Sequence, residues 1–415
     1  MTEPTRTRPF PVVLLLLAAS LAVSTERAQS KVPSVSTAGS AALARLLEER
    51  VQRGDVPAAV VLVTNATGVV FESAAGKADV AGNVPLRQDS IFRIASMTKP
   101  VTSAAVMMLV EEGRLRLDDP AERYVPAIGS MKVATQVDAD GSFESRPPRR
   151  PITIRDLLTH TSGIGYSFTD PLLFKLETAG KSDQDFPLLH DPGEKWTYGA
   201  STRYLGNVIE HVSGQPLDAF LRTRLFEPLG MRDTSYEVPA SARSRLVTVH
   251  QRTNGALGEL QNPEVARTTP VRGDGGLFST ARDYGMFLRM FLNGGRAGSK
   301  RLLSEASVRE MTRNQIGRLV VPEQPAANAA RTRPFPLGAG RDTWGLGFQL
   351  AARPASSDAR SAGSYSWAGI NNTHFWVDPG RQIGVVVLMQ VLPFYDDACI
   401  KLLSDVEQLV NRSVE

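Results

Sequence analysis

Arg93-Ile94-Ala95-Ser96-Met97-Thr98-Lys99-Pro100, followed by the apolar run Val101 to Val110, is the stretch on which the rest of the chain depends. Val101, Ala104, Ala105, Met108 and Leu109 recur at helical spacing, and Gly113 supplies a stop. The spacing predicts a helix beginning near Ser96, with Ser96 as its N-cap and Pro100 still in the first turn. Residues three apart share a helix face, so Lys99 points back at Ser96. An amine then lies within reach of a hydroxyl, and the helix N-terminus adds partial positive charge beside any oxyanion. A serine nucleophile without a histidine base needs this arrangement. Ser-x-x-Lys alone is a short pattern that equally describes a capped helix with a solvated lysine, so the rest of the chain decides between the two.

Upstream, Ser40 to Gln52 reads as an amphipathic helix with Leu43, Leu46, Leu47 and Val51 on one side. Ala58 to Val63 and Val69 to Ser73 read as a hairpin about the turn Asn65-Ala66-Thr67-Gly68. Downstream come helical segments: Thr153 to His160, Tyr204 to Val212, Leu217 to Leu225, Ala281 to Leu292 and Ser304 to Thr312. The stretches 129–151 and 321–341 are loop-like, the second expected at the surface. Trp344 to Gln349, Tyr365 to Ile370, Thr373 to Val377 and Ile383 to Gln390 read as strands, and Ala398 to Val410 as a closing helix. Strands at both ends with helices between predict an α+β fold: an antiparallel sheet built from both termini (about 40–95 and 340–415), flanked by helices, with a mainly helical region (about 96–320) inserted.

The 415 residues are 42% hydrophobic and 22% charged, an ordinary globular composition, with a net charge of +4. That small balance and scattered arginines argue against nucleic acid as a partner. The lone Cys399 excludes an internal disulfide and cysteine metal frameworks, and reads as a small buried residue of the last helix. Residues 1–30 read as a secretory signal: Arg6 and Arg8, then the apolar stretch Phe10 to Val23, with cleavage near Ala22-Val23-Ser24 or Ala28-Gln29-Ser30. The expectation is a periplasmic or secreted protein whose residues 31–415 form a single catalytic domain with no membrane span; an uncleaved anchor is the alternative.

Three further stretches bear on chemistry. Tyr198 in Trp196-Thr-Tyr-Gly-Ala-Ser201 is a polar tip on a glycine-containing turn, or a core tyrosine. Trp367-Ala-Gly369-Ile370 places a glycine inside a strand, where a ligand or another backbone comes close. Gly273-Asp-Gly-Gly276 lacks the lysine of a phosphate loop and reads as a conformational turn. Asp138-Ala-Asp-Gly lacks the later ligands of a calcium loop. No Gly-x-Ser-x-Gly elbow and no His-Glu-x-x-His occurs, and the five histidines show no ligand spacing. Of these, His160 reads as structural and His374, close after Trp367, as a residue that could face a cleft.

Taken in order, Ser96-Met-Thr-Lys99, Leu157-Leu-Thr-His-Thr-Ser-Gly163, Trp196-Thr-Tyr198, Gly275-Gly-Leu-Phe-Ser-Thr280 and Trp367-Ala-Gly369 resemble the serine β-lactamase-like superfamily. The resemblance is to its class C-type branch of β-lactamases, D-Ala-D-Ala carboxypeptidases and family VIII carboxylesterases, and covers about residues 40–412. It implies a β-lactamase/transpeptidase-like fold, Ser96 as nucleophile, and Lys99 and Tyr198 sharing the proton work. It implies an oxyanion hole from the backbone N–H groups of Ser96 and Ile370, with Gly369 allowing close approach of an edge strand. No metal or organic cofactor is implied.

This chain departs from class C β-lactamases at two anchors. Ala200 stands where the tyrosine motif carries Asn, and Trp367 where the third motif carries Lys. A hydrogen bond to a charged group contributes about 1.5–3 kcal/mol, so their loss weakens the grip on a carboxylate-bearing β-lactam. An apolar Trp367 wall suits an uncharged acyl chain or alcohol, as in the family VIII esterases. The expected activity is cleavage of carboxylic esters through a Ser96 acyl-enzyme. The alternatives are action on β-lactams or peptidoglycan peptides, and a non-catalytic ligand-binding relative.

Overall fold

The computed structural model describes residues 1–5, 32–138, 142–260, 270–352 and 359–415. The chain divides into two units, Met1–Val32 and Pro33–Glu415. The expected signal segment, from residue 6 on, and part of the Asp138 turn lie outside the described residues.

Both ends of the second unit build one sheet. Its strands are β1 (Ala58–Thr64), β2 (Val69–Asp79), β3 (Val84–Pro85), β4 (Thr343–Trp344), β5 (Gln349–Leu350), β6 (Tyr365–Gly369), β7 (Thr373–Asp378) and β8 (Ile383–Leu388). Their order is β4-β5-β6-β7-β8-β1-β2-β3, with every pairing antiparallel. N- and C-terminal segments meet where β1 pairs with β8, Val61 opposite Val387. Asn65 shapes the first hairpin: its side chain accepts from the N–H groups of Thr67 and Gly68. The stretch between β3 and β4 carries α2 (Thr98–Glu111), α3 (Ile154–Thr159), α4 (Ser201–Ser213) and α5 (Ala281–Leu292); α1 (Thr37–Gln52) and α6 (Asp397–Ser413) flank it in sequence. The expected α+β architecture is the observed one.

Both faces of the sheet are covered, which is why β1 is a continuous apolar run rather than an alternation. On one face Val61, Trp376 and Val385 pack against Leu43 and Leu47 of α1 and Leu402 and Val406 of α6; Cys399 belongs to this core. On the other, Val60, Leu62, Phe375 and Val386 pack against α2 and α5. Each such side chain contributes about 1.5–3 kcal/mol when fully buried. Every residue of α2 from Thr98 to Leu109 is buried, so this helix runs through the core with its start aimed at the sheet. Among the described residues, no helix is long and apolar enough to cross a membrane.

Three expectations are corrected. Trp344 to Gln349 is not one strand but β4 and β5 joined by a tight turn, because Gly347 takes φ +97° and a Cβ on Gly345 would lie 2.1 Å from the Met311 carbonyl. Strand β6 is not at the sheet edge; β5 pairs only with Tyr365 and Ser366, so Trp367–Gly369 is left with a partner on the β7 side alone. The stretch 321–341 is not confined to the surface: Val321, Gln324, Thr332 and Phe335 are buried.

Candidate active site

Ser96 sits in a short helical turn, Ala95–Met97, that leads into α2. It is not the helix cap: Met97 holds that position without a side-chain bond, and the Ser96 hydroxyl lies 3.0 Å from Lys99 Nζ instead. Ala95 takes φ +45°, a strained value for a residue with a Cβ. Such strain persists only where the surroundings over-determine it. Here the Ile94 N–H donates to Leu277 O (3.1 Å), and the Tyr284 hydroxyl donates to Met97 O (3.0 Å). The Leu277 N–H returns a bond to Thr98 Oγ1 (3.3 Å).

Lys99 is buried, and Nζ has three polar neighbours: Ser96 Oγ at 3.0 Å, Tyr166 Oη at 3.1 Å and the Asp274 carbonyl at 2.8 Å. Burial disfavours the ammonium, Asp274 favours it, and Arg272 and Arg203 oppose it; the balance pushes the amine down to about 7. The Asp274 carbonyl has no proton to give. The Tyr166 hydroxyl donates its own to Asp274 Oδ2 at 2.5 Å. The proton left for a neutral Lys99 to accept is that of Ser96.

Asp274 anchors this cluster. Arg272 grips its carboxylate with two bonds (2.9 and 2.8 Å), and Arg203 lies 3.6 Å away. Burial works against its charge, but the Arg272 bond and the charges of Lys99, Arg272 and Arg203 hold it well below the usual carboxylate range. The turn read as purely conformational therefore also delivers a carbonyl to Lys99. Neither Tyr166 nor Asp274 is singled out by the sequence analysis. The available signals were a tyrosine straight after Gly163-Ile-Gly165, like Tyr198 in its glycine turn, and a carboxylate set among glycines beside an arginine.

Tyr198 precedes α4 and is held from both ends. Its N–H donates to Gln324 Oε1 (3.1 Å), and its ring packs against Trp367 (centroids 4.9 Å apart), His160 (5.1 Å), Tyr166 (5.3 Å) and Phe335 (5.6 Å). The Trp367 indole N–H donates to its oxygen at 3.4 Å, and the Ser96 hydroxyl faces that oxygen. Burial raises the phenol well above its ordinary value, only partly offset by Ser96 and Trp367, so it stays protonated at neutral pH. Lys99 meets Tyr198 through the ring face, with Nζ 4.9 Å from the centroid.

Gly369 ends β6 against the turn before Ser96. A Cβ there would lie 2.3 Å from Ile94 O and 2.4 Å from Thr373 Oγ1. Side chains stitch the two segments together: Thr373 Oγ1 donates to Ile94 O (3.3 Å) and Asn371 Nδ2 to Arg93 O (3.3 Å). Ile370 follows directly, half-buried. Ala200 is buried beside Tyr198 and offers no side-chain polar atom.

His374 does not face this cleft. It stands opposite Ala368 in the β6–β7 register, one step from the Trp367–Phe375 pair that packs on the Ser96 side. Alternation puts its ring on the α6 face of the sheet. His160 is a buried member of the aromatic cluster, tilted against Trp196, Tyr198 and Trp344.

A hydroxyl, a buried amine and a phenol thus meet beside a half-open strand, in a fold with an antiparallel sheet flanked by helices; together they define a serine hydrolase of the β-lactamase fold. The chain belongs to the beta-lactamase family, whose model matches residues 43–408. Protein Rv1367c of Mycobacterium tuberculosis is 33% identical over 373 residues, covering 84% of this chain and 89% of that protein. Lovastatin esterase of Penicillium rubens is 29% identical over 389 residues, covering 88% and 95%. A mutant of simvastatin synthase (LovD) from Aspergillus terreus superposes with a TM-score of 0.79 at 25% identity, covering 90% of this chain and 95% of the other. The family is one of serine hydrolases and acyltransferases and includes esterases.

Proposed function

We propose that the protein hydrolyses small or medium carboxylic esters through a covalent intermediate on Ser96. The observation that carries this is the surroundings of Lys99: Nζ lies 3.0 Å from Ser96 Oγ, while its other two polar neighbours, Tyr166 Oη and the Asp274 carbonyl, have no proton to offer it. Neutral Lys99 takes the hydroxyl proton as Oγ bonds to the ester carbonyl carbon. The oxyanion turns toward the N–H groups of Ser96 and Ile370, with Gly369 allowing the approach. Tyr198, kept protonated at rest, gives its proton to the departing alkoxide, while Lys99 holds the proton taken from Ser96. Water then attacks the acyl-enzyme by the reverse relay, freeing the acid.

The ester reading rather than the β-lactam one rests on Trp367 and Ala200, which present an indole and a methyl group where an anionic substrate needs charge. An alcohol can replace water in the second step, a reading supported by the likeness to simvastatin synthase. The test is hydrolysis of p-nitrophenyl butyrate against a chromogenic cephalosporin. Ester turnover at least tenfold more efficient is expected; efficient cephalosporin turnover with negligible ester cleavage overturns the proposal. Ser96→Ala is expected to lose activity by ~10⁴-fold or more with an unchanged circular dichroism spectrum. Export is proposed from the segment Phe10 to Val23. The periplasmic or secreted protein should have a mass corresponding to loss of the chain from Met1 to a cleavage site near Ser24 or Ser30.

A further inference from the structure

A cavity of about 210 Å³ lies between the Ala368–His374 pair, the chain around Phe335, and α6, and is lined also by Trp367 and Phe375. Phe335, Phe394 and Tyr395 give it an aromatic wall, and Leu403 of α6 contributes a further apolar side. A dry apolar cavity of about 150 Å³ is large enough for a benzene ring. This one has room for a ring with a short substituent.

His374 lines the cavity, is 3% exposed, and stacks on Phe394 with ring planes 18° apart. Its Nε2 is buried and has no hydrogen-bond partner among the described residues. Burial first, and then the Arg360 charge, pushes the ring down to about 3, so it is a neutral imidazole. Such a ring has one donor and one acceptor nitrogen. The ionic groups around it do not call for an ion. Arg360 is paired with Glu407 (2.8 Å), Asp342 accepts from Gln349 and the Ala352 N–H, and Arg341 stands exposed.

We propose that this cavity is a second binding site, separate from the Ser96 cleft, for a small uncharged alcohol carrying one apolar ring, its hydroxyl paired with His374 Nε2. A hydroxyl both donates and accepts, so it satisfies Nε2 in either tautomer. The ring fills the aromatic half of the cavity. The site does not depend on the reaction at Ser96, although Phe335 and Trp367 are shared: both line the cavity and pack against Tyr198.

The test is a titration of the histidine-labelled full chain with benzyl alcohol, followed by NMR of the imidazole resonances. A saturable shift of the His374 signal, assigned by its loss in His374→Gln, is expected. Toluene, with the same ring and no hydroxyl, should bind at least tenfold more weakly. Ala368→Leu fills the cavity from the neighbouring strand while keeping the imidazole itself, and should abolish the shift in a protein that still melts cooperatively. No saturable His374 shift in the wild-type chain overturns the site. Equal binding of toluene overturns the hydroxyl pairing. A shift that survives in Ala368→Leu places the ligand elsewhere and overturns the proposal.

Discussion

The Tyr166 hydroxyl donates to Asp274 Oδ2 at 2.5 Å while its oxygen lies 3.1 Å from Lys99 Nζ, so one phenol spends its proton on a carboxylate and leaves the lysine facing Ser96. Tyr166→Phe removes that constraint. The amine can then turn its lone pair away from the nucleophile, and small losses of alignment cost up to about 10²-fold in rate. A fall in kcat of ~10- to 100-fold with KM nearly unchanged is expected from steady-state ester kinetics. An unaltered kcat would remove Tyr166 from the mechanism.

Lys99 titrates at about 7, and the reaction needs its neutral form, so kcat/KM should rise with pH through a limb near that value. Asp274 raises the lysine, so Asp274→Asn should move the limb to lower pH. It also leaves Arg272 and Arg203 without their shared carboxylate, at a stability cost of about 3 kcal/mol. Stability follows the same group with the sign reversed from an ordinary paired lysine. Between about 7 and the ordinary lysine value of 10.5 the unfolded chain binds the proton and the native chain does not. Stability from this group therefore rises with pH across that window and is lowest below it. Denaturant titrations at pH 6.5 and 9, compared with Lys99→Met, test this; a difference that does not change with pH contradicts it.

Gly369→Ala drives a methyl group to within 2.3 Å of the Ile94 carbonyl and 2.4 Å of Thr373 Oγ1. Strand β6 must withdraw from the turn that carries Ser96, and the Ile370 N–H withdraws with it. Loss of one oxyanion donor lowers kcat by about 10²–10³-fold, and that is the expected effect, with substrate binding much less affected. A variant with wild-type kcat would show that Ile370 contributes nothing to the transition state.

Trp367→Phe keeps an apolar wall and deletes one hydrogen bond to Tyr198. A neutral bond contributes about 0.5–1.5 kcal/mol, or roughly 2- to 12-fold. A kcat decrease in that range is expected, with ester preference over cephalosporin retained. Trp367→Lys should narrow that preference by at least tenfold. If it does not, the indole is not what sets substrate class.

Much of the fold is legible in the sequence. Ala281 to Leu292 keeps its apolar period, its Thr280 cap and its Asn293-Gly294-Gly295 stop, and is helical over that span. The C-terminal strands are read correctly because both faces of the sheet are covered and their apolar runs are long. Trp344 to Gln349 misleads because the contacts that break it, to Met311 and Ser103, are remote in sequence. His374 misleads for a similar reason. Proximity in sequence to Trp367 says nothing about which face of a strand a side chain takes until the register is known.

The sequence alone determined the pairing of Ser96 with Lys99, since three residues of one helical turn settle it through local geometry. It determined the antiparallel sheet from both termini, since hydrophobic period is also local. What only the tertiary structure decided is how that lysine is tuned and where its lone pair points. The deciding atoms belong to Tyr166 and Asp274, 67 and 175 residues away along the chain. Burial and the balance of distant charges are sums over the whole fold, and no short stretch of sequence contains them.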